Sequence, residues 1–316
     1  MPNNLMQEDN ITIANSNSFV LAAKVKDYFQ LIKFTLSFMV VFSTIVSFLI
    51  APNELIYSRS KIISVLLLFV GGMLITGSAN AINQVLEKNT DGLMKRTAQR
   101  PVASGRMSSN EATIFAILSG IFGVFILAYW FNNECALVGL FSLLLYGFVY
   151  TPLKKVNSVA VLVGAIPGAL PCLIGWVAAT ANFSIGGWVL FGIQFLWQFP
   201  HFWAIAWLAH EDYTTAGFKL LPGDKGPTKF TALQCIIYSS LMIPFGLLPY
   251  FTGIIDLGIR GLITTAILFL CNLWMVYVSI LLFISMDLKS ARKVMFSSYF
   301  YLMIVLLALL IGRVHL

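Results

Sequence analysis

Residues 62–84 read IISVLLLFVGGMLITGSANAINQ and run directly into VLEKNTDGLMKRT at 85–97. The first segment carries no charge over a length that, as an α-helix, crosses the ~30 Å hydrocarbon core of a bilayer. The second segment is polar and contains both acidic and basic side chains. The junction therefore predicts a membrane-spanning helix that ends at a polar site.

The rest of the chain repeats this apolar pattern. Of 316 residues, 59% are hydrophobic and only 10% are charged, whereas a soluble domain carries about 25% charged residues. A polar tail at 1–23 precedes one transmembrane domain at 24–316. We predict an all-α polytopic membrane protein with nine spans, at 34–51, 62–84, 112–131, 135–151, 158–179, 186–208, 230–252, 261–285 and 294–312.

The basic residues give this topology a direction. Four of the 20 lysines and arginines fall on one predicted side of the membrane, and all the others fall on the opposite side; the four are Arg59, Lys61, Arg260 and Arg313. The positive-inside rule then predicts a cytoplasmic N-terminus. The long loops near 85–110 and 209–229 share that side, so a site facing the cytoplasm is expected. The net charge of +7 is explained by topology rather than by nucleic-acid binding.

Three polar residues follow the second span at helical spacing. Asn83, Glu87 and Asp91 are spaced i, i+4, i+8, which places them on one helix face, and Asn80 lies one turn earlier. Oxygen ligands of this kind suit Mg²⁺, which takes one or two carboxylates together with substrate phosphates and water. The alternative is a solvated helix end whose acids pair with neighbouring lysines.

Basic side chains follow this stripe closely and are candidates for binding phosphate charge: Lys95, Arg96 and Arg100. A second basic candidate is Lys154, in the run Tyr150-Thr-Pro-Leu-Lys154, and its alternative role is topogenic.

Polar residues also occur in and after the sixth span. Gln198 and His201 lie within an apolar run, and Asp212 emerges at its cytoplasmic end. For His201 the alternative is a packed, hydrogen-bonded helix residue, and for Asp212 it is an ordinary helix end.

These motifs resemble the membrane prenyltransferases of the UbiA superfamily and, within it, the haem O synthases. The superfamily motif Asn-x-x-x-Asp-x-x-x-Asp is similar to Asn83-x-x-x-Glu87-x-x-x-Asp91, with glutamate at the middle position. Haem O synthases continue with Met-x-Arg-Thr-x-x-Arg-Pro, matched by residues 94–101, and carry Tyr-Thr-x-Leu-Lys, Trp-Gln-Phe-Pro-His and Asp-Tyr motifs, matched at 150–154, 197–201 and from Asp212. The superfamily's second Asp-x-x-x-Asp is incomplete here, since Ala216 stands at its last position.

The resemblance implies transfer of farnesyl from farnesyl diphosphate to a vinyl group of haem b in a bacterial inner membrane. It implies Mg²⁺ on Asn83, Glu87, Asp91 and Asp212, which are the expected catalytic residues. The expected substrate contacts are Asn80, Lys95, Arg96, Arg100, Tyr150, Lys154, Gln198 and His201. Haem A synthase and terminal oxidase assembly factors are candidate partners. Two alternatives stay open: prenylation of a quinone precursor, and a haem-binding or transport protein without chemistry.

Overall fold

The structure, a computed structural model, describes residues 21–52, 60–223 and 226–314. Within these ranges the chain is built from α-helices, some with π-helical turns. They are α1 (Leu21–Leu31), α2 (Phe34–Ile50), α3 (Lys61–Leu86), α4 (Lys88–Asp91), α5 (Ser109–Phe131), α6 (Asn133–Leu153), α7 (Ala160–Thr180), α8 (Ile185–Leu208), α9 (His210–Thr215), α10 (Lys229–Phe251), α11 (Ile259–Ser285) and α12 (Leu288–Gly312).

The predicted spans agree with these helices. Eight helices in the described ranges are long and apolar enough to cross a membrane, and the pair α1–α2, bent by 52°, supplies a ninth if it forms one span. The last helix begins at Leu288, six residues earlier than predicted. Asp287 caps it there, because its carboxylate accepts a hydrogen bond from the Ser290 amide at 2.7 Å, which the hydropathy pattern does not register.

Helices α7 and α8 lie at the centre of the bundle and are buried over most of their length. Small residues let their backbones approach neighbouring helices closely, as in other membrane bundles. At Gly175 a Cβ atom would lie only 2.0 Å from the Thr44 carbonyl oxygen of α2. Gly175 therefore serves the close packing of α7 against α2, whereas Gly164 and Gly168 of the same helix line cavities.

The bend between α1 and α2 falls at Lys33, whose φ of 49° places it in the left-handed region. Two ion pairs hold α1 to the rest of the protein: Lys24 with Glu111 at 2.8 Å, and Arg106 with Asp27 at 2.9 Å. Residues 1–20 of the predicted polar tail lie outside the described residues, and 21–23 already belong to α1.

Candidate active site

The polar stripe predicted on one helix is divided between two. Asn83 lies in the last turn of α3, Glu87 follows the end of that helix, and Asp91 ends the single turn of α4. The interruption at Glu87 keeps the three side chains on one side, where they line the same cleft. Their relative exposures are 1%, 3% and 0%, so the solvated-helix alternative is wrong for these residues.

Each of these polar groups contacts a cation. Lys33 donates to Asn83 Oδ1 at 2.8 Å. Lys154 Nζ lies 2.5 Å from Glu87 Oε1. Arg100 donates to both oxygens of the Asp91 carboxylate, at 2.8 and 2.7 Å. The buried charges of Glu87 and Asp91 are tolerated because each is paired with a cation, whereas Lys33 bonds to a neutral amide oxygen.

We call this region the polar cleft; besides the three polar residues and their cationic partners, its lining includes Met94, Arg96, Tyr146, Tyr150, Phe202, Tyr213 and Phe218. Arg96 donates to the Tyr213 hydroxyl at 3.2 Å. The Lys154 ammonium lies 5.0 Å from the centre of the Tyr150 ring and 5.1 Å from that of Phe218. The cleft thus combines positive charge with aromatic walls.

Burial changes the pKa of two groups at the mouth of the polar cleft. It lowers the pKa of the Lys154 amino group, and the adjacent Glu87 carboxylate opposes this shift. It raises the pKa of the Tyr213 phenol, with Arg96 and Arg100 acting in the opposite direction. Both shifts follow from the cost of keeping a charge away from water.

A second cavity, the apolar pocket, adjoins the polar cleft and shares Leu36 and Tyr146 with it. Its walls come from α2, α3, α5, α6 and α7 and are mostly aliphatic, with Asn80 among them. Asn80 donates to Ser37 and to the Ile32 carbonyl, both at 3.1 Å. Its Oδ1 is buried and has no hydrogen-bond partner in the described residues, so this acceptor is available to a ligand.

Seven of the predicted site residues line the polar cleft: Asn83, Glu87, Asp91, Arg96, Arg100, Tyr150 and Lys154. Asn80 lines the apolar pocket instead, and the other four predicted residues line neither cavity: Lys95, Gln198, His201 and Asp212. Asp212 is partly exposed on α9, and its neighbour Tyr213 is the residue that faces the cleft. The roles assigned to all these residues stay predictions.

Gln198 and His201 make internal contacts instead. Gln198 donates to the Ala165 carbonyl of α7 at 2.9 Å. His201 Nδ1 lies 2.7 Å from the Ser298 hydroxyl of α12, and its ring stacks on Trp197 with 4.8 Å between centres. These contacts agree with the alternative stated for His201, a packed and hydrogen-bonded helix residue.

Three cleft residues were missed by the sequence reasoning. Lys33 was counted only as a topogenic charge, and Tyr146 and Tyr213 were not selected. For Lys33 the useful signal was a lysine at the very edge of an apolar run. Tyr213 directly follows Asp212, the residue chosen from that motif. Tyr146 lies one turn before Tyr150, and their rings are 5.2 Å apart.

The donor set of the polar cleft fits a hard divalent cation in combination with a phosphate ligand. In the described part of the chain, no three His, Cys, Asp or Glu side chains form a metal cluster. The available oxygens are therefore two carboxylates and one amide, on Glu87, Asp91 and Asn83. This set is too small for an all-protein cage but matches the way Mg²⁺ is held together with substrate phosphates.

A comparison with known families matches residues 40–311 to the UbiA prenyltransferase family. The chain belongs to the UbiA prenyltransferase family. This UbiA prenyltransferase is also similar to curated bacterial proteins named protoheme IX farnesyltransferase. It is 39% identical to that of Cytophaga hutchinsonii, covering 93% of this chain and 100% of the relative. It is 42% identical to that of Flavobacterium psychrophilum, covering 88% and 91%.

Solved structures with the same fold include a digeranylgeranylglyceryl phosphate synthase, with a TM-score of 0.75 and 23% identity over 93% of this chain and 100% of that one. Another is a UbiA homolog from Archaeoglobus fulgidus bound to GPP and Mg²⁺. Its TM-score is 0.66 and its identity 17%, over 90% of this chain and 99% of that one. The predicted family and fold are confirmed.

Proposed function

We propose that this UbiA prenyltransferase transfers farnesyl from farnesyl diphosphate to a vinyl group of haem b. Addition of water completes haem O, and pyrophosphate leaves. The observation that carries the proposal is a buried cleft of paired acids and cations that adjoins an apolar pocket and shares Leu36 and Tyr146 with it. The identity of about 40% to proteins named protoheme IX farnesyltransferase supports this substrate pair over a quinone precursor.

The polar cleft would hold the diphosphate. Asn83, Glu87 and Asp91 would hold Mg²⁺, which supplies charge to stabilise the leaving pyrophosphate. When Mg²⁺ binds these residues, their present partners Lys33, Lys154 and Arg100 become available to bind phosphate oxygens. The Arg100 guanidinium can bind two phosphate oxygens at once. Asp212 remains the proposed fourth metal ligand.

The apolar pocket, about 90 Å³ in this structure, would hold the first part of the farnesyl chain. Tyr146 lines both cavities, so its ring lies where the charged and apolar ends of the substrate meet. Breaking the bond between carbon and diphosphate oxygen leaves positive charge on the allylic carbon. Aromatic faces stabilise a nearby cation, and the aliphatic walls exclude water. Tyr146 is therefore the residue proposed to stabilise the developing cation, with Tyr150 beside it.

The polar cleft would face the cytoplasm of a bacterial inner membrane, because the basic residues concentrate at that end of the bundle. Acidic residues of the polar cleft also lie at that one end and do not line a path across the bilayer, which favours an enzyme over a transporter. Haem A synthase or terminal oxidase assembly factors are the proposed recipients of the product.

The test is a transfer assay with the protein in membranes, given haem b, labelled farnesyl diphosphate and Mg²⁺. We expect label in a haem with the mass of haem O. Asp91→Ala should abolish this signal, whereas Glu134→Ala, an exposed acid at the opposite end of α6, should not. When 4-hydroxybenzoate is supplied together with haem b, label in 4-hydroxybenzoate but not in haem would refute the proposed acceptor. Normal haem O formation by Asp91→Ala would refute the metal site.

A further inference from the structure

A large groove lies between α11 and α12 and shares no lining residue with the polar cleft or the apolar pocket. Its volume is about 870 Å³, within the ~300–1,000 Å³ typical of small-molecule sites. Trp274 and Tyr277 line it from α11, and Phe296 and Phe300 from α12. All four are about half exposed or more. The Trp274 indole donates to the Ser297 hydroxyl across the groove at 3.0 Å.

One end of this groove is basic. Lys289, Arg292 and Lys293, here called the basic triad, lie in the first turns of α12 and line the groove with the aromatic side chains. The triad is exposed, and none of its members forms an ion pair within the described ranges. The nearest carboxylate in sequence, Asp287, accepts a hydrogen bond from the Ser290 amide as the helix cap. The groove therefore keeps a net positive end.

The length of the groove matches one leaflet of a bilayer. The lining residues of α12 run from Lys289 to Ile304, a separation of fifteen residue steps or roughly 22 Å of helix. Half of a hydrocarbon core is ~15 Å, and the headgroup layer adds several more. A ligand with an anionic head at the triad and a hydrocarbon chain along the aromatic side chains would match both parts of the groove.

The basic triad lies at the same end of the bundle as the polar cleft. The Lys229 ammonium, at the start of α10, lies 5.8 Å from the centre of the Phe283 ring near the end of α11. The C-terminal end of α12 lies beside the C-terminal end of α2, because Arg313 donates to the Leu49 carbonyl at 2.8 Å. The N-terminal end of α2 follows Lys33 of the polar cleft, so the triad, at the N-terminal end of α12, lies toward the cleft. The positive-inside rule assigns the triad to the cytoplasmic leaflet, which carries anionic lipids.

We propose that the α11–α12 groove binds an anionic phospholipid of that leaflet, with the phosphate at the basic triad and one acyl chain along the aromatic walls. Charge complementarity selects this occupant. A zwitterionic lipid would leave the triad without net neutralisation, and a second copy of this chain would bring three more cations to the same place. Basic pockets between transmembrane helices commonly take anionic headgroups. This site is independent of farnesyl transfer.

Tryptophan quenching tests the proposal. The protein is reconstituted in vesicles of unbrominated phosphatidylcholine. Increasing fractions of a lipid with brominated acyl chains are then included, either brominated phosphatidylglycerol or brominated phosphatidylcholine. The Trp274 signal is the wild-type emission minus that of Trp274→Phe. We expect half-maximal quenching at a mole fraction of brominated phosphatidylglycerol at least tenfold below that of brominated phosphatidylcholine.

Replacing the triad by glutamine (K289Q, R292Q and K293Q together) should raise that mole fraction toward the phosphatidylcholine value. The expected loss of affinity is on the order of 100-fold, since each basic side chain contributes about a factor of five. The matched control is K26Q, K88Q and K155Q, which removes the same charge from exposed positions outside the groove. It should behave as wild type.

Equal quenching by the two lipids would overturn the proposal, and so would an equal effect of both triple variants. Trp274 emission that responds to protein dilution but not to lipid would assign the groove to a second copy instead. Native mass spectrometry of protein released from mixed lipids provides a second, independent measurement. Retained phosphatidylglycerol on the wild type, lost on the triad variant, supports the site. Circular dichroism confirms that each variant is folded without reference to activity.

Discussion

Arg106 connects helix α1 to the segment that carries two cleft arginines. Its guanidinium donates to Asp27 at 2.9 Å, to Gln30 and Ser104 at 2.8 Å, and to the Gln99 carbonyl at 2.9 Å. The segment held in this way, 92–108, includes Arg96 and Arg100. Replacing Arg106 with alanine should therefore loosen the basic wall of the polar cleft while leaving its acids in place.

The size of this effect follows from burial. The Asp27 side chain is 10% exposed and that of Arg106 39%, so only the ion pair with Asp27 is substantially protected from water. A hydrogen bond to such a charged group contributes about 2 kcal/mol, and the solvated contacts add little. We expect the melting temperature of Arg106→Ala to fall by roughly 4 to 8 °C. The KM for farnesyl diphosphate should rise on the order of tenfold, with kcat nearly unchanged.

The assay combines thermal unfolding in detergent with steady-state farnesyl transfer. Arg106→Lys keeps the charge but not the planar fork, so it should recover only part of the loss. Lys24→Gln is the matched control, because the Lys24–Glu111 pair also anchors α1 but its side chains are 42% and 28% exposed. It should change stability by less than ~1 kcal/mol. An unchanged KM in a destabilised Arg106→Ala protein would refute the claim that Arg106 positions the cleft.

Three further predictions concern metal, packing and the intramembrane histidine. Removal of divalent cations by EDTA should abolish farnesyl transfer, and Mg²⁺ should restore it in the wild type but not in Asp91→Ala. Gly175→Ala should destabilise the protein by about 1–3 kcal/mol, because its Cβ would overlap a carbonyl oxygen of α2. His201→Phe and Ser298→Ala should each lower the melting temperature, since they break one buried hydrogen bond, while the KM for farnesyl diphosphate stays unchanged.

These predictions have internal controls. Gly92→Ala meets only an ordinary contact of 3.5 Å and should keep wild-type stability. Activity that survives EDTA would remove the metal from the proposal. If His201→Phe loses transfer to haem b at unchanged stability while Ser298→Ala is silent, His201 contacts the acceptor, as the resemblance to haem O synthases implies.

The sequence determined the membrane class without help from tertiary structure, and its nine predicted spans agree with the eight to nine candidate spans of the described residues. Apolar length and loop charge are local properties, because the bilayer imposes the same thickness on every helix. The shared face of Asn83, Glu87 and Asp91 could also be predicted from the sequence, because i, i+4 spacing places residues on one face of a helix. The prediction holds although the helix is interrupted at Glu87.

Only the tertiary structure decided which distant residues share the polar cleft. Lys33 enters it because the backbone turns through a left-handed residue at that point, and Tyr146 lines it because α6 packs beside α3. Gln198 and His201 resembled site residues but bond to neighbouring helices instead. The physical reason is that a polar residue in an apolar run requires a partner, and the sequence shows the requirement but not whether substrate or protein supplies it.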